Sequence, residues 1–393
     1  MNKYKLMNLG SICEFINGDR GKNYPSGNDF INSGIPFINA GHIKDNKINF
    51  ENMNYISEEK FQTLGSGKVK KNDILFCLRG SLGKLAIADI NNGAIASSLV
   101  IIRPKKNVIN SQYLMHYLKS KEIYEQILKA NNGSSQPNLS ANSVKEFKLY
   151  IPDYEIQIKI SKVLNKAQEL IGKRKTQIEA LDELVKSRFI EMFGDPVKNT
   201  MDWNMKPLAE VGSIGRGVSK HRPRNAPELL GGDYPLIQTG DVANAGLYIK
   251  DYKATYSELG LKQSKMWGKG TLCITIAANI AKTGILTFDA CFPDSVVGFI
   301  AGDKTNNIFM YYWFSSFQKL LEEQAPESAQ KNINLKILSD LKVIVPPIEL
   351  QNQFFDFVNQ VDKLEFEMQK SLTQLEDNFN SLMQKAFKGE LFN

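Results

Sequence analysis

Long apolar runs are missing from this chain. No stretch of its 393 residues approaches the eighteen or so consecutive apolar residues that a membrane-spanning helix requires. The opening residues, Met1 to Leu9, carry no apolar core of a secretory signal, so a cytoplasmic address is expected. Cysteine and histidine are scarce: Cys13, Cys77, Cys273 and Cys291 have no metal-ligand spacing, and only His42, His116 and His221 accompany them. A structural zinc is therefore not expected, and the thiols read as free. Catalytic signatures are absent too. There is no G-x-x-x-x-G-K-[ST], and Gly80-Ser81-Leu82-Gly83-Lys84 has the wrong spacing for a phosphate loop and reads as a strand turn. No Asn/Asp-Pro-Pro-aromatic grip for a target base occurs; Pro346-Pro347-Ile348 follows Val345 and merely ends a domain. Asp73 and Glu125 are isolated acids rather than a paired metal-nuclease set. Three scattered histidines support no nucleophilic triad. A non-catalytic chain with no cofactor is the expectation.

What the sequence does have is a second copy of itself. Leu9-Gly10-Ser11-Ile12 returns as Val211-Gly212-Ser213-Ile214, and Pro36-Phe37-Ile38-Asn39-Ala40-Gly41 as Pro235-Leu236-Ile237-Gln238-Thr239-Gly240. Gln136-Pro137-Asn138-Leu139 returns as Gln330-Lys331-Asn332-Ile333, and Tyr150-Ile151-Pro152 as Ile344-Val345-Pro346. A period this long is no solenoid of small repeats. It describes two similar domains, each followed by one helix.

Within each copy, short runs such as Ile74-Leu75-Phe76, Leu99-Val100-Ile101-Ile102, Leu272 to Ile276 and Val296 to Ile300 are bounded by Gly, Asn and Asp and predict strands. One amphipathic helix is expected late in each, over about 111–130 and 307–324. Its aromatics (Tyr113, Tyr117 and Tyr124; Phe309, Tyr312, Trp313 and Phe317) are expected to face the core. The connecting segments carry a heptad-like seam. Leu164, Ile171, Ile178, Val185 and Met192 recur every seven residues with Ala167 and Leu181 between them, interrupted by Arg174 and Arg188. The second seam holds Val358, Val361, Met368, Leu372, Leu375, Phe379, Leu382 and Ala386, interrupted by Glu365. Neither is stable alone in water, so they should pack on each other. Because the first leads away from domain one and the second starts at domain two, the pair must be antiparallel. About forty residues at 1.5 Å each make a rod of roughly 60 Å, about one and a half turns of B-form DNA at ~34–36 Å per turn. The fold class expected is α+β: two mixed, strand-rich domains at 1–152 and 196–346, joined by long antiparallel helices at 153–195 and 347–393, with pseudo-two-fold repetition.

Charge separates these parts. Residues 1–152 carry 20 basic against 12 acidic side chains, a net +8; 153–195 balance at 8 and 8; 196–346 hold 17 against 14; and 347–393 hold 4 against 8, a net −4. The positive charge sits on the globular copies, which favours a polyanion for the domains and a protein for the helices.

Particular words then carry a resemblance. They are Lys186-Ser187-Arg188-Phe189 through Met192-Phe193-Gly194-Asp195-Pro196, Ala386-Phe387-Lys388-Gly389-Glu390-Leu391, Gly232 to Asp241 (GDYPLIQTGD) and Gly133 to Asn138 (GSSQPN). In this order and duplicated, they resemble the specificity subunit of type I restriction–modification systems over essentially the whole chain. The resemblance implies that each target-recognition domain reads one half of a split double-stranded DNA sequence. It also implies that the helices set the spacer and dock methyltransferase subunits, two of them, with motor-nuclease subunits joining in the full complex. Methyl transfer from S-adenosylmethionine, ATP hydrolysis and cleavage would belong to those partners.

The copies differ where readers should differ. Arg20, Lys22 and Tyr24 in copy one face Arg216, Lys220, Arg222 and Arg224 in copy two, so the target is expected to be asymmetric. Arginine pairs bidentately with guanine or phosphate, and Pro223 would stiffen Arg222 and Arg224 in their loop. Arg79 joins the first set. Asn39, His42, Gln238, Thr239 and Asp241 follow a strand in the duplicated motif, where short amides read adenine edges or shape a turn. Gln136 and Gln330 recur and either position phosphate or hold a loop. Two other readings stay open: a coiled-coil scaffold whose domains bind protein rather than DNA, and a solitary phage-defence or anti-restriction adaptor.

Overall fold

A computed structural model describes residues 4–131, 137–277, 280–324 and 333–392. The chain forms two compact units, 1–175 with 370–393 and 176–369, so each unit contains part of both long helices.

In the first unit, a four-stranded antiparallel sheet runs in the order Cys13–Asn17, Leu99–Pro104, Ile74–Cys77, Leu85–Ile87. Its central strands are apolar over Ile74–Cys77 and from Leu99 to Ile102 because both faces are covered there. Ile74, Phe76, Val100 and Ile102 face a core shared with helices, while Leu75, Cys77, Leu99 and Ile101 face a second core. That second core is completed by Ile38, Ile43, Ile48 and Ile95. A smaller sheet, Ala94–Ile95, Ile35–Ile38, Asn54–Ile56, Phe30–Ile31, lies in the same unit. The second unit repeats the plan. Gly212–Arg216, Val296–Ala301, Leu272–Thr275, Thr283–Leu286 and Tyr248–Ile249 make a five-stranded sheet, and Ala254–Tyr256, Leu230–Leu236, Ala290–Cys291 and Met266–Trp267 the smaller one. In both units a two-stranded ribbon pairs the first strand with the last, Lys5–Asn8 with Lys148–Ile151 and Met205–Pro207 with Lys342–Ile344. All four cysteines are free and buried, and burial pushes the Cys13 thiol up to about 12.

The segment 111–130 departs from expectation. It is two helices, Ser111–Leu118 and Lys121–Ala130, because Ser120 stops one and caps the next, its Oγ accepting from Ile123 N–H at 3.4 Å. The new helix has a new rotational phase. Tyr113 and Tyr117 are buried as expected, but Tyr124 is 59% exposed and is not a core residue. Its counterpart Asn307–Gln324 is continuous, with Phe309, Trp313 and Phe317 buried.

The long helices span Tyr154–Phe193 and Ile348–Lys388. Each ends at a glycine in the left-handed region, Gly194 (φ +75°) and Gly389 (φ +78°), a conformation cheap only for glycine. Their mutual direction can be read inside each unit. In the first, Ile160 and Leu164 share a core with Leu382, Ala386 and Phe387, while further along Lys175 pairs with Glu376 at 2.8 Å. In the second, Phe193 and Phe189 lie 5.6 and 5.4 Å from the Phe354 ring, while Leu181 and Val185 share a core with Val358, Val361 and Met368. Rising numbers on one helix meet falling numbers on the other, so the pair is antiparallel. Of the seam residues, Leu164, Leu181, Val185, Val358, Val361 and Leu372 are buried; Ile171, Ile178, Met368, Leu375, Phe379 and Leu382 are half-buried.

Two devices join helices to domains, and both are duplicated. At the start of each long helix a glutamine is buried to 1% and 0% exposure, Gln157 and Gln351. At the far end of each, a phenylalanine plugs a unit. Phe387 lies 4.4 Å from Tyr117 and 5.6 Å from Tyr113, and Phe193 lies 4.9 Å from Phe309. His116 adds a tie in the first unit, sharing a 2.7 Å hydrogen bond between its Nε2 and Asn165 Oδ1 on the first long helix.

We expect Phe387→Ala to destabilise the first unit by about 3–5 kcal/mol, the range for removing a buried phenylalanine, against under about 0.5 kcal/mol for exposed Tyr124→Ala; denaturant unfolding reads both. A pH effect follows from His116. Burial lowers its folded-state pKa to about 4, whereas the unfolded side chain keeps about 6.5. The unfolded chain therefore takes up the proton first. Stability is full above about 6.5 and is lost as pH falls towards about 4, by up to about 3 kcal/mol. Hydrogen exchange over Ser111–Leu118 should speed up through that window, and His116→Gln should flatten the response.

Candidate nucleic-acid interface

In the first unit the structure brings Arg20 and Arg79 to one cleft, which Asn17, Ser66, Asn138 and Asn142 also line. Both arginines are exposed. Arg79 follows the central strand Ile74–Cys77 and forms a β-bridge with Asn138, flanked by Leu139 N–H donating to Leu78 O at 2.8 Å and Gly80 N–H to Pro137 O at 3.2 Å. Pro137 and Asn138 of the duplicated Gln-x-Asn motif, with Leu139, thus act as an extra short strand beside Arg79. Arg20 is set by Asp19, whose two carboxylate oxygens accept from Arg20 N–H and Gly65 N–H, each at 2.6 Å. Beneath it Gly67 (φ +78°) lies so close to Gly18 that a Cβ would come within 2.9 Å of the Gly18 Cα, so two loops touch backbone to backbone.

The other expected residues of this unit divide. Lys22 is exposed beside a turn closed by Tyr24 N–H donating to Gly21 O at 3.1 Å. The Tyr24 ring turns inward and packs edge-on against Phe37 at 5.6 Å, in an apolar cluster. His42 takes the turn-shaping role of the two left open for it. It is buried, its Nδ1 accepts from Asn39 N–H at 3.1 Å, and its Nε2 lies 3.3 Å from Asn52 O. With both ring nitrogens engaged by backbone, it closes a turn and has no polar atom left for a base. Burial lowers its pKa, keeping it neutral as that acceptor role needs. Asn39 Oδ1 meanwhile accepts from Gly41 N–H at 2.8 Å. Copy two does the same with a different residue: Asp241 Oδ2 accepts from Gln238 N–H at 2.9 Å. The repeated motif therefore preserves a turn whose fourth residue accepts from its first, by imidazole or by carboxylate. Gln238 remains exposed there, and Thr239 begins a helix, Thr239–Asn244. Gln136 and Gln330 lie outside the described residues.

In the second unit three arginines converge on an acid that sequence reasoning missed. Asp294 sits in the turn between Ala290–Cys291 and Val296–Ala301. Its backbone oxygen accepts from Arg216 Nε, and its carboxylate lies 2.5 Å from the Arg224 guanidinium and 3.9 Å from that of Arg222. Arg222 also donates to Ser219 O at 2.7 Å and His221 O at 2.8 Å, so it braces its own loop. Arg224 is held by the same carboxylate more closely, and Lys220 is exposed. Asp294 is 70 or more residues from each arginine it gathers; the available signal was only that three clustered cations require a counter-charge. The strand-end position that Arg79 occupies in copy one is Ala277 in copy two. Two similar frames therefore carry cations at non-equivalent places.

A family model described as the type I restriction modification DNA specificity domain matches residues 1–180 and 200–377. The chain is 24% identical over 376 residues to a putative type I restriction enzyme MjaX specificity subunit of Methanocaldococcus jannaschii, covering 91% of this chain and 87% of that protein. It is 22% identical over 431 residues to the HindI specificity subunit of Haemophilus influenzae, covering 89% and 91%. Among solved structures, a chain from work on complex assembly and conformational transition of the type I R-M system aligns with a TM-score of 0.66 and 18% identity, over 99% of this chain and 98% of that one. The type I restriction-modification S subunit from M. genitalium aligns with a TM-score of 0.58 and 16% identity, over 98% and 96%.

As turn-closers the two should differ in cost: His42→Ala about 1–3 kcal/mol, the penalty for leaving a partly buried donor unpaired, and Asp241→Ala about 0.5–1.5 kcal/mol, since its bond is exposed. Faster amide exchange at Asn39 or Gln238 respectively would report it; unchanged protection would return both residues to the list of surface contacts.

Proposed function

The chain belongs to the family of type I restriction modification DNA specificity domains, and from that premise we propose that it is the non-catalytic, sequence-reading subunit of such a system. Residues 1–152 and 196–346 are the two readers, each taking one half of an asymmetric bipartite duplex target. Residues 153–195 and 347–393 are the helices that set the spacer and dock methyltransferase subunits, two per chain, with motor-nuclease subunits completing the restriction complex. Methyl transfer, ATP hydrolysis and cleavage reside in those partners. The complex works in the cytoplasm; among the described residues no helix is long and apolar enough to cross a membrane.

The observation that carries this reading is the pair of unlike cationic edges on a repeated frame, Arg20 with Arg79 in one unit and Arg216, Arg222 and Arg224 in the other. A shared frame supports a shared task, docking on a duplex. Unlike side chains support unlike sequences, because base edges in the major groove are told apart by the donors presented to them. The fork of a guanidinium suits both guanine and phosphate. Asp294 keeps three mutually repelling cations within one loop region, holding them before any ligand arrives. For the helices, the support is surface that the fold leaves uncovered: Leu170, Leu184, Ile190, Leu364 and Phe366 are exposed, Phe366 by 67%. Large apolar side chains left to water on a long helix suit a protein partner.

Affinity of the assembled methyltransferase complex for its duplex should fall steeply with log salt, as phosphate-dominated binding does; a flat response would favour a protein-binding scaffold instead. Arg79→Ala should weaken recognition only of the half-site read by residues 1–152, and Arg224→Ala only of the other, each by about 1–3 kcal/mol if it meets a base. Competition with duplexes altered in one half-site separates the two. Loss at the opposite half-site would contradict modular reading.

A further inference from the structure

The buried glutamines at the roots of the long helices do more than fill space. Gln157 Nε2 donates to Val108 O at 3.1 Å and Pro152 O at 3.0 Å, and its Oε1 accepts from Asn110 N–H at 2.8 Å. Gln351 Nε2 donates to Lys304 O at 3.0 Å and Pro346 O at 2.9 Å, while its Oε1 accepts from Thr305 Oγ1 at 2.9 Å and Asn306 N–H at 3.2 Å. In each unit one amide joins three pieces of chain: the helix's first turn, the proline that precedes it, and a loop more than forty residues away. That loop is itself the cap of the domain's own helix. Asn110 Oδ1 accepts from Gln112 and Tyr113 N–H, both at 3.0 Å, and Asn306 Oδ1 from Phe309 N–H at 2.8 Å.

Apolar packing is non-directional and tolerates a helix rolling or tilting by some degrees. A buried amide with both donors and its acceptor engaged does not, since any tilt leaves a polar atom unpaired in a dry site. The lever is long. A helix of about forty residues measures roughly 60 Å, so a tilt of about three degrees at the root moves its far end by about 3 Å, close to the ~3.4 Å step between successive bases along a strand. An equivalent glutamine at the root of both helices fixes both exit angles.

We propose that Gln157 and Gln351 are positioning residues that set how each helix leaves its reader, and thereby the exact number of base pairs tolerated between the half-sites. The inference rests on the proposed DNA-reading role. It makes spacer fidelity a property of two hydrogen-bonded joints as well as of helix length.

The test is methylation by the complete complex of this chain with its methyltransferase, on a duplex library carrying both half-sites separated by spacers of every length near the native one. Gln157→Leu and Gln351→Leu should each raise methylation at spacers one base pair longer or shorter by at least tenfold relative to the native spacer, with base preferences inside both half-sites unchanged. Thr305→Val, which deletes one hydrogen bond to Gln351 and leaves its other partners, should produce a smaller broadening in the same direction; it keeps the idea open to refutation if the leucine variants fail to fold. Leu164→Ala, which weakens the same helix by apolar loss alone, should lower total methylation without broadening. A spacer profile as sharp as the parent's in folded Gln157→Leu, Gln351→Leu or Thr305→Val complexes overturns the proposal, as does equal broadening in Leu164→Ala. A parent complex with no preferred spacing would overturn the two-reader function itself, an outcome distinct from a sharp parent profile that the variants fail to change.

Discussion

The structure depends on how two long, only partly apolar helices are tied to the domains they serve. A helix of forty residues with a narrow seam has little stability of its own in water, and most of what it gains must come from its ends and its partner. Here each end has a different device. At the root, a glutamine with every polar atom engaged ties the first turn to the domain just completed. At the tip, a phenylalanine plug, Phe387 or Phe193, enters a unit's core and a left-handed glycine stops the helix. The root joint supplies direction and the plug supplies burial. Because each unit takes the root of one helix and the tip of the other, the two helices must run oppositely, and the seam between them follows from that arrangement.

The same division between scaffold and variation runs through the domains. The repeated sheets, the ribbon joining first strand to last, and the turn closed by His42 or Asp241 are alike in chemistry although their residues differ. An imidazole nitrogen and a carboxylate oxygen serve one purpose, to accept from the amide three residues back. The cationic edges do not follow this rule. Arg79 stands where copy two has alanine, and the arginines around Asp294 have no counterpart acid in copy one. Positions that hold the frame are constrained by hydrogen bonds that must be satisfied out of water. Positions on the cationic edge face solvent and are free to diverge, which is what a pair of readers for unlike sequences requires.

Much of this was legible beforehand. The heptad spacing announced the long helices, and chain direction forced them antiparallel, because an apolar stripe must be buried and has one neighbour of matching period. Buried strands were legible as short, continuous apolar runs. Side-chain roles were harder to read. Tyr124 was expected in the core because an unbroken helix would have carried it there, and Ser120 resets the phase. His42 stays open between a base contact and a turn in the sequence because residue type does not disclose burial. Gln157 and Gln351 carry no signal in the sequence, since a glutamine in the first turn of an amphipathic helix has the composition of a solvated surface.

The sequence by itself determined the repeat, the buried central strands and the two long helices, the antiparallel sense of those helices and the location of positive charge. These are all local periodicities or sums, which survive without knowing what touches what. Only the tertiary structure decided which polar groups are used up internally and which remain free: Asp294 meeting arginines at least 70 residues away, Gln157 meeting a loop nearly fifty residues back, and His42 closing its own turn. Whether a side chain is available depends on the dielectric and the partners around it, and those are assembled from parts of the chain that no spacing rule connects.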